Sequence, residues 1–315
     1  MTQLTIDLGG TAVKLGVFDA NRLLDSAELA AADGRLVLDE VAAAADRMLR
    51  GARADGIAIA VPGIVDPESR RLVAAHGKYA ALHGVDLAEW SHARFGVPAV
   101  VENDARAALI GEMSAGSAHG ARDAVLIALG TGIGTAAAID GRIIRGAHGH
   151  AGVLSGHVTV DLDGPRCPCG NLGCAEALAS TWALGEAIAR RAVSIGPELA
   201  RRLGAERAIG IRDLVETRNE PESAAVLERY VRVWGAVVVG QCHAFDPTVV
   251  VVTGGVMRSR DVVLPALVEY VHEHLWSSSF RPAFVTPEAP ALSVLRGLAA
   301  LALDSATARD THGPR

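Results

Sequence analysis

The sequence predicts an α/β fold of two duplicated domains, each built on a mixed sheet, and three observations predict it. A chain of 315 residues has room for about two domains of roughly 100 to 200 residues. Two segments, Ile6 to Asp19 (IDLGGTAVKLGVFD) and Ile127 to Gly141 (IALGTGIGTAAAIDG), both read strand, glycine turn, strand, aspartate turn. After the first of these an alanine-rich helical stretch leads into a short β-branched run, the pattern of a crossover to a parallel strand, so antiparallel and parallel pairing meet in one sheet.

Taken in order, LTIDLGG, AVKLGVFD and RLLDSAELA form an antiparallel meander broken by Gly9-Gly10 and Asp19-Ala20-Asn21. Leu38 to Arg50 has helical apolar spacing, and Gly56 to Val61 is a strand that Pro62-Gly63 ends. A helix near Leu87 to Phe95, a strand over Pro98 to Val101 and a helix over Ala105 to Ala115 complete the first module. The second opens with strands at Ala124 to Leu129 and Thr135 to Ile139. Gly146 to Leu172, rich in Gly, His, Pro and Cys, reads as a long loop, and loops of that length are usually functional. Helices follow at Thr181 to Val193, Ile211 to Thr217, Ser223 to His243, Leu264 to Leu275 and Leu292 to Leu303, with one strand at Thr248 to Thr253 and a polar, frayed tail from Ser305.

Composition excludes several classes. Half the residues are hydrophobic and 21% are charged, so the chain folds. With 36 acidic against 30 basic residues the net charge is -6, which lacks the basic field that draws a protein to nucleic acid. No apolar run reaches the ~18 residues of a membrane span, and MTQLTIDLGG has no signal-peptide zones, so a cytoplasmic protein without membrane contact is expected.

Three constellations carry chemistry. Asp7-Leu8-Gly9-Gly10-Thr11 and Gly130-Thr131-Gly132-Ile133-Gly134-Thr135 each put residues without a Cβ after a strand, where backbone N–H groups can face an anion at close range. Either turn alone is equally an ordinary hairpin loop; two at matching places in a duplicated chain point to successive phosphates of a nucleotide. Asp7 beside them suits hydrated Mg²⁺. Next, Cys167, Cys169 and Cys174 crowd into eight residues, with His157 upstream. Three thiolates and an imidazole make a closed tetrahedral set for structural zinc, the alternative being incidental buried cysteines. Because no position stays open, such a zinc shapes a loop, and His148, His150 and Glu176 lie near it in sequence. Finally, Asn103-Asp104 follows a strand and precedes a helix. Asp104 there suits a general base that takes a proton from a substrate hydroxyl, the alternative being a helix cap with Asn103 in the turn.

Together IDLGGTAVKLGVFD, VPGIVD, VENDARAALIGE, ALGTGIGTAAAIDG, GPRCPCGNLGCAEALAS and VVVVTGGV resemble, in order and approximate spacing over nearly the whole chain, the ROK family of sugar kinases, a branch of the actin-like (ribonuclease H-like) ATPase fold. The resemblance implies two lobes, 1–117 plus 292–308 and 118–291, that close on ATP and a sugar. It implies Asp104 as the base, with Gly63, Asn103, His157 and Glu176 on the sugar and His157 also on zinc. Gly9, Gly10, Thr11, Gly130, Thr131 and Gly132 would face phosphates, Asp7 would hold Mg²⁺ through water, and Gly254-Gly255 would lie against adenosine. A homodimer is implied as well.

Three departures stand out. Ala12 replaces a frequent lysine, with Lys14 two residues on; Thr135 replaces a frequent glycine; and Ala151 to His157 reads AGVLSGH where the family pattern resembles AGEIGH. The sugar-gripping glutamate is thus absent, as in the family's N-acetylmannosamine kinases, and His150 or Ser155 are the candidates to replace it. An ATP-dependent kinase of glucose or a related hexose is expected, with a hexosamine kinase or a catalytically silent sugar-binding protein as alternatives. A repressor is disfavoured, since the first glycine turn lies within ten residues of the start and leaves no room for a helix-turn-helix ahead of it.

Overall fold

The computed structural model describes residues 1–10, 12–30, 35–66, 68–69, 71–74, 82–204 and 209–311; Thr11 lies outside them. In chain order the elements are β1 (Thr2–Leu8), β2 (Ala12–Asp19), β3 (Arg22–Ala30), α1 (Arg35–Leu49), β4 (Gly56–Val61), β5 (Ile64–Val65), β6 (Leu72–Ala74), α2 (Leu87–Phe95), β7 (Ala99–Asn103) and α3 (Asp104–Ala115). They continue as β8 (Ala124–Leu129), β9 (Ile133–Ile139), β10 (Arg142–Ile143), α4 (Ala175–Ala179), α5 (Thr181–Ala189), α6 (Pro197–Leu203), α7 (Ile211–Glu216), α8 (Pro221–Phe245), β11 (Val249–Thr253), α9 (Arg260–His274), β12 (Ala283–Val285) and α10 (Pro290–Thr311). Two compact units result. One holds Met1–Gly120, Ile143–Ala151 and Pro287–Arg315; the other holds Ala121–Arg142 and Gly152–Thr286.

The first sheet has the order β3-β2-β1-β4-β7 and the second β10-β9-β8-β11-β12, so both units repeat one arrangement: an antiparallel meander followed by two parallel strands. Burial follows position in the sheet. β4, an interior parallel strand, is buried at all six residues and reads as a continuous apolar run, whereas edge strand β3 alternates exposed and half-buried positions.

In the first unit α10 covers the sheet against α3. Cβ atoms on Gly111 and Gly297 would sit 2.0 Å from the Ser293 oxygen and 1.8 Å from the Ala107 oxygen, so the absence of side chains lets the two helix backbones touch. Ser293 donates a buried 2.6 Å hydrogen bond to Glu112 at the same crossing. By length and composition α10 is apolar enough to cross a bilayer, with mean hydropathy 1.3, yet Leu295, Leu298, Ala299 and Ala302 are buried in this unit, which is the setting of a core helix. It continues to Thr311, so the fraying expected from Ser305 does not occur over 305–311, and the rest of that tail lies outside the described residues: Ala306 is buried, and Arg309 donates to Ser305 and to the Asp55 carbonyl. In the second unit Trp234 of α8 is buried and donates its indole N–H to Ala179, anchoring the short α4.

Residues 146–172 contain no strand and only a single 3₁₀ turn at Ser155–His157, as the sequence predicts for that stretch. Short elements escaped sequence reading: α4 and α6 have too few turns to show a period, and β5, β6, β10 and β12 are two or three residues long.

Candidate functional site

In the first unit the register of three strands assembles the polar residues. Asp7 pairs with Ala60 and Val61 with Asn103, so the carboxyl ends of β1, β4 and β7 lie side by side, where open α/β sheets bind ligands. Asn103 is the N-cap of α3: its side-chain oxygen accepts from the N–H groups of Ala105 and Arg106, and its amide donates to the Gly63 carbonyl at 2.9 Å and to Asp104 at 3.1 Å. The cap is therefore Asn103, and Asp104 is the first helical residue, its carboxylate accepting from Ala105 N–H at 2.8 Å. Gly63 has φ 125°, a conformation that favours glycine.

Two carboxyl groups meet here with little to balance them. Burial, then the charge of Asp104, pushes Asp7 up to about 7, while Lys14, directly across the β1–β2 ladder, pulls it down. Loss of hydration pushes Asp104 up to about 6 against hydrogen bonds from Ala105 and Asn103. Buried acids that would gain from a cation suit Mg²⁺ at Asp7. At Gly9 a Cβ would stand 2.7 Å from the Ala12 carbonyl, so the first turn is tight; at Gly10 it would meet nothing within 4 Å.

The support beside this pair has no signature in the sequence. Arg106, 1% exposed, donates to the carbonyls of Ile144, Gly149 and Ala151 and faces Glu102 at 3.5 Å; Arg145 grips the same Glu102 at 2.6 Å. These contacts bind residues 144–151 to β7 and α3. A buried arginine on an alanine-rich helix leaves no signal in periodicity, which treats it as a solvated residue.

In the second unit Gly130-Thr131-Gly132 forms the β8–β9 turn, with Thr131 exposed. Ala128 pairs with Thr253, which brings Gly254 and Gly255 beside it. Gly254 has φ 94°, and a Cβ on it would lie 2.3 Å from the Leu129 oxygen. On the α5 side Thr131, Thr181, Trp182, Gly185, Ile188, Leu203 and Ile209 line a largely apolar cavity of about 360 Å³. None of the last six residues stands out in sequence, because they come from three separate segments.

His157, Cys167, Cys169 and Cys174 converge so that their ligand atoms all lie within 4.8 Å of one another, with Cys167 Sγ 3.6 Å from His157 Nδ1 and Cys169 Sγ 3.7 Å from Cys174 Sγ. Burial and the neighbouring thiols push Cys174 up to about 12, so a dication is what would let three sulfurs ionise together. The donor set and its spread fit zinc. The third sequence departure is visible nearby. Thr135 is buried, donates to the Gly152 carbonyl at 2.7 Å and accepts from Ser155 N–H at 3.2 Å, so its hydroxyl pins the AGVLSGH segment, in which Val153 is buried and Leu154 is exposed. His150 lies in the first unit and Ser155 in the second.

Proteins similar to this chain include glucokinases and xylose repressors. The chain is 29% identical to the glucokinase of Thermotoga maritima over 280 residues, 87% of this chain and 88% of that one. A solved ROK family glucokinase from Streptomyces griseus, in complex with glucose and AMPPNP, superposes with TM-score 0.81 at 29% identity, covering 96% of this chain and all of that one. The xylose repressor of Bacillus spizizenii is 26% identical over 246 residues, 76% of this chain but 59% of the repressor. The mixed α/β architecture is that of the actin-like ATPase sugar kinases. With the ROK family model matching residues 3–305, the chain belongs to the ROK family.

Proposed function

We propose that the protein is an ATP-dependent sugar kinase that phosphorylates a hydroxyl of glucose or a related hexose. The observation that carries this reading is the pair Asp7 and Asp104 at the sheet end of the first unit, with Asn103 holding both Gly63 and Asp104. Likeness to the glucose- and AMPPNP-bound Streptomyces griseus enzyme supports the substrate class.

In this reading Asp104 accepts the proton of the sugar hydroxyl as its oxygen attacks the γ-phosphorus; the bond from that phosphorus to the bridging oxygen breaks, and ADP leaves. Burial keeps the carboxylate basic enough for the task, while the Ala105 N–H and Asn103 amide hold its orientation. The sugar contacts proposed are Gly63, Asn103, Asp104, His157 and Glu176. Gly9, Gly10, Thr11, Gly130, Thr131 and Gly132 take the phosphates, Gly254 and Gly255 take adenosine, and the apolar cavity beside Thr131 suits the adenine ring. Mg²⁺ held near Asp7 would neutralise phosphate charge. Zinc on His157, Cys167, Cys169 and Cys174 would order the loop that carries the sugar contacts, and a homodimer is proposed.

The exposed Leu154, in a segment without glutamate, favours a second reading in which the acceptor is an acylated hexosamine such as N-acetylmannosamine. An ADP-release assay over hexoses and acylated hexosamines tests both. Turnover with one sugar well above the rest is expected; no turnover at millimolar sugar, together with a rise in melting temperature from one of them, would instead mark a sugar-binding protein without catalysis.

A further inference from the structure

The second phosphate turn is held from behind. Glu176 Oε2 accepts the N–H of Ile133 at 2.8 Å, and a Cβ on Gly132 would come within 2.5 Å of that same oxygen, so the turn and the carboxylate are packed against each other. Two more bonds fasten the turn: Thr181 N–H donates to Gly130 and Trp182 N–H to Thr131, both from the start of α5. Gly156, next to His157, packs on the third side, where a Cβ would be 2.4 Å from the Ile133 oxygen. Glu176 itself sits in the first turn of α4, whose N-cap is the buried Cys174. The path from the thiol cluster to the turn is thus one helical turn long.

We infer that Glu176 is a positioning residue for nucleotide, which sets the second phosphate turn and transmits to it the order that a metal imposes on Cys174. This deepens the kinase reading and rests on it. A turn that meets phosphate through backbone N–H groups must be fixed before the ligand arrives, or binding spends its free energy on ordering the turn. Ile133 N–H is taken by Glu176 and Gly130 N–H by the Gly132 carbonyl, which leaves the N–H groups of Thr131 and Gly132 in this turn to meet an anion.

Sugar-free protein separates this role from a sugar contact. Titrating ADP with Mg²⁺ into zinc-loaded protein without sugar, Glu176→Ala should bind ADP about 10-fold more weakly than the parent, the scale of a lost hydrogen bond to a charged group. Glu176→Gln keeps an acceptor for Ile133 N–H and should stay within about threefold. Hydrogen exchange at the Ile133 amide should accelerate in Glu176→Ala and stay slow in Glu176→Gln. The parent stripped of metal by a chelator should show the same two changes as Glu176→Ala, a comparison that needs no variant to fold. If ADP affinity and Ile133 exchange are the same with and without metal, or if Glu176→Ala folds and binds ADP like the parent, the inference is overturned while the kinase reading stands. A parent that binds no ADP overturns the nucleotide reading itself and this one with it.

Discussion

Asp104 and Asp7 carry the residue-scale predictions. Replacing Asp104 by Asn removes the proton acceptor but keeps the shape, so turnover should fall at least ~10²-fold with a smaller change in sugar affinity; steady-state kinetics with near-normal turnover would remove Asp104 from that role. Since burial holds Asp104 up to about 6, its basic form is lost as pH drops through that value, and kcat/KM for the sugar should decline on the acid side of about 6. The two acids influence each other, so the limb reports the pair. Stability runs the other way. Acids raised in the folded state favour folding while protonated, a contribution present below their unfolded pKa near 4 and lost as pH rises through about 6 and 7. Asp7→Asn should therefore raise the melting temperature of metal-free protein at pH 8 and leave it nearly unchanged at pH 4; an equal effect at both would contradict the environment assigned to Asp7.

At the scale of elements, the loop 152–174 stands on two supports of different kinds. One is the cluster of His157 and three cysteines: Cys169→Ser should abolish stoichiometric zinc by elemental analysis and weaken sugar binding through His157. The other is Thr135, whose hydroxyl serves Gly152 and Ser155 at once. Thr135→Val keeps the volume and removes the partner of two half-buried backbone groups, which should cost about 1 kcal/mol in urea unfolding; a loss below a few tenths would mean that the AGVLSGH segment holds itself. Thr135 and that segment were legible as two separate departures in sequence. That one answers the other was not, because 17 and 20 residues separate the partners and only the β8–β9 ladder brings β9 beneath the loop.

At the scale of the whole molecule, duplication explains why the same feature, a glycine turn at a strand end, occurs once in each unit. The first unit is completed by a helix from the far end of the chain. Its contact with α3 depends on Gly111 and Gly297, where a methyl group has no room: Gly297→Ala should separate the helices and lower stability by about 1 to 3 kcal/mol, and an unchanged melting temperature would show that the crossing is looser than described. α3 begins with Asp104, so part of the loss should also appear as lower turnover at temperatures where the protein remains folded.

The class of fold, the two glycine turns, the grouping of His157 with three cysteines and the acid at the strand–helix junction are all legible in the residues alone. Each of these is a local pattern: strand alternation, residues without a Cβ at strand ends, closely spaced thiols, an acid at a strand–helix junction. Tertiary structure decided what no local pattern encodes. The Asp7–Lys14 pairing comes from register across a hairpin, and the rise of Asp7 and Asp104 comes from burial together. The hold of Arg106 on residues 144–151, the apolar cavity beside Thr131, and the hold of Glu176 on Ile133 join positions 38 to 78 residues apart. Proximity across such separations depends on how strands pair and helices pack, which is why the residue types of the candidate site are readable from the sequence and their arrangement is not.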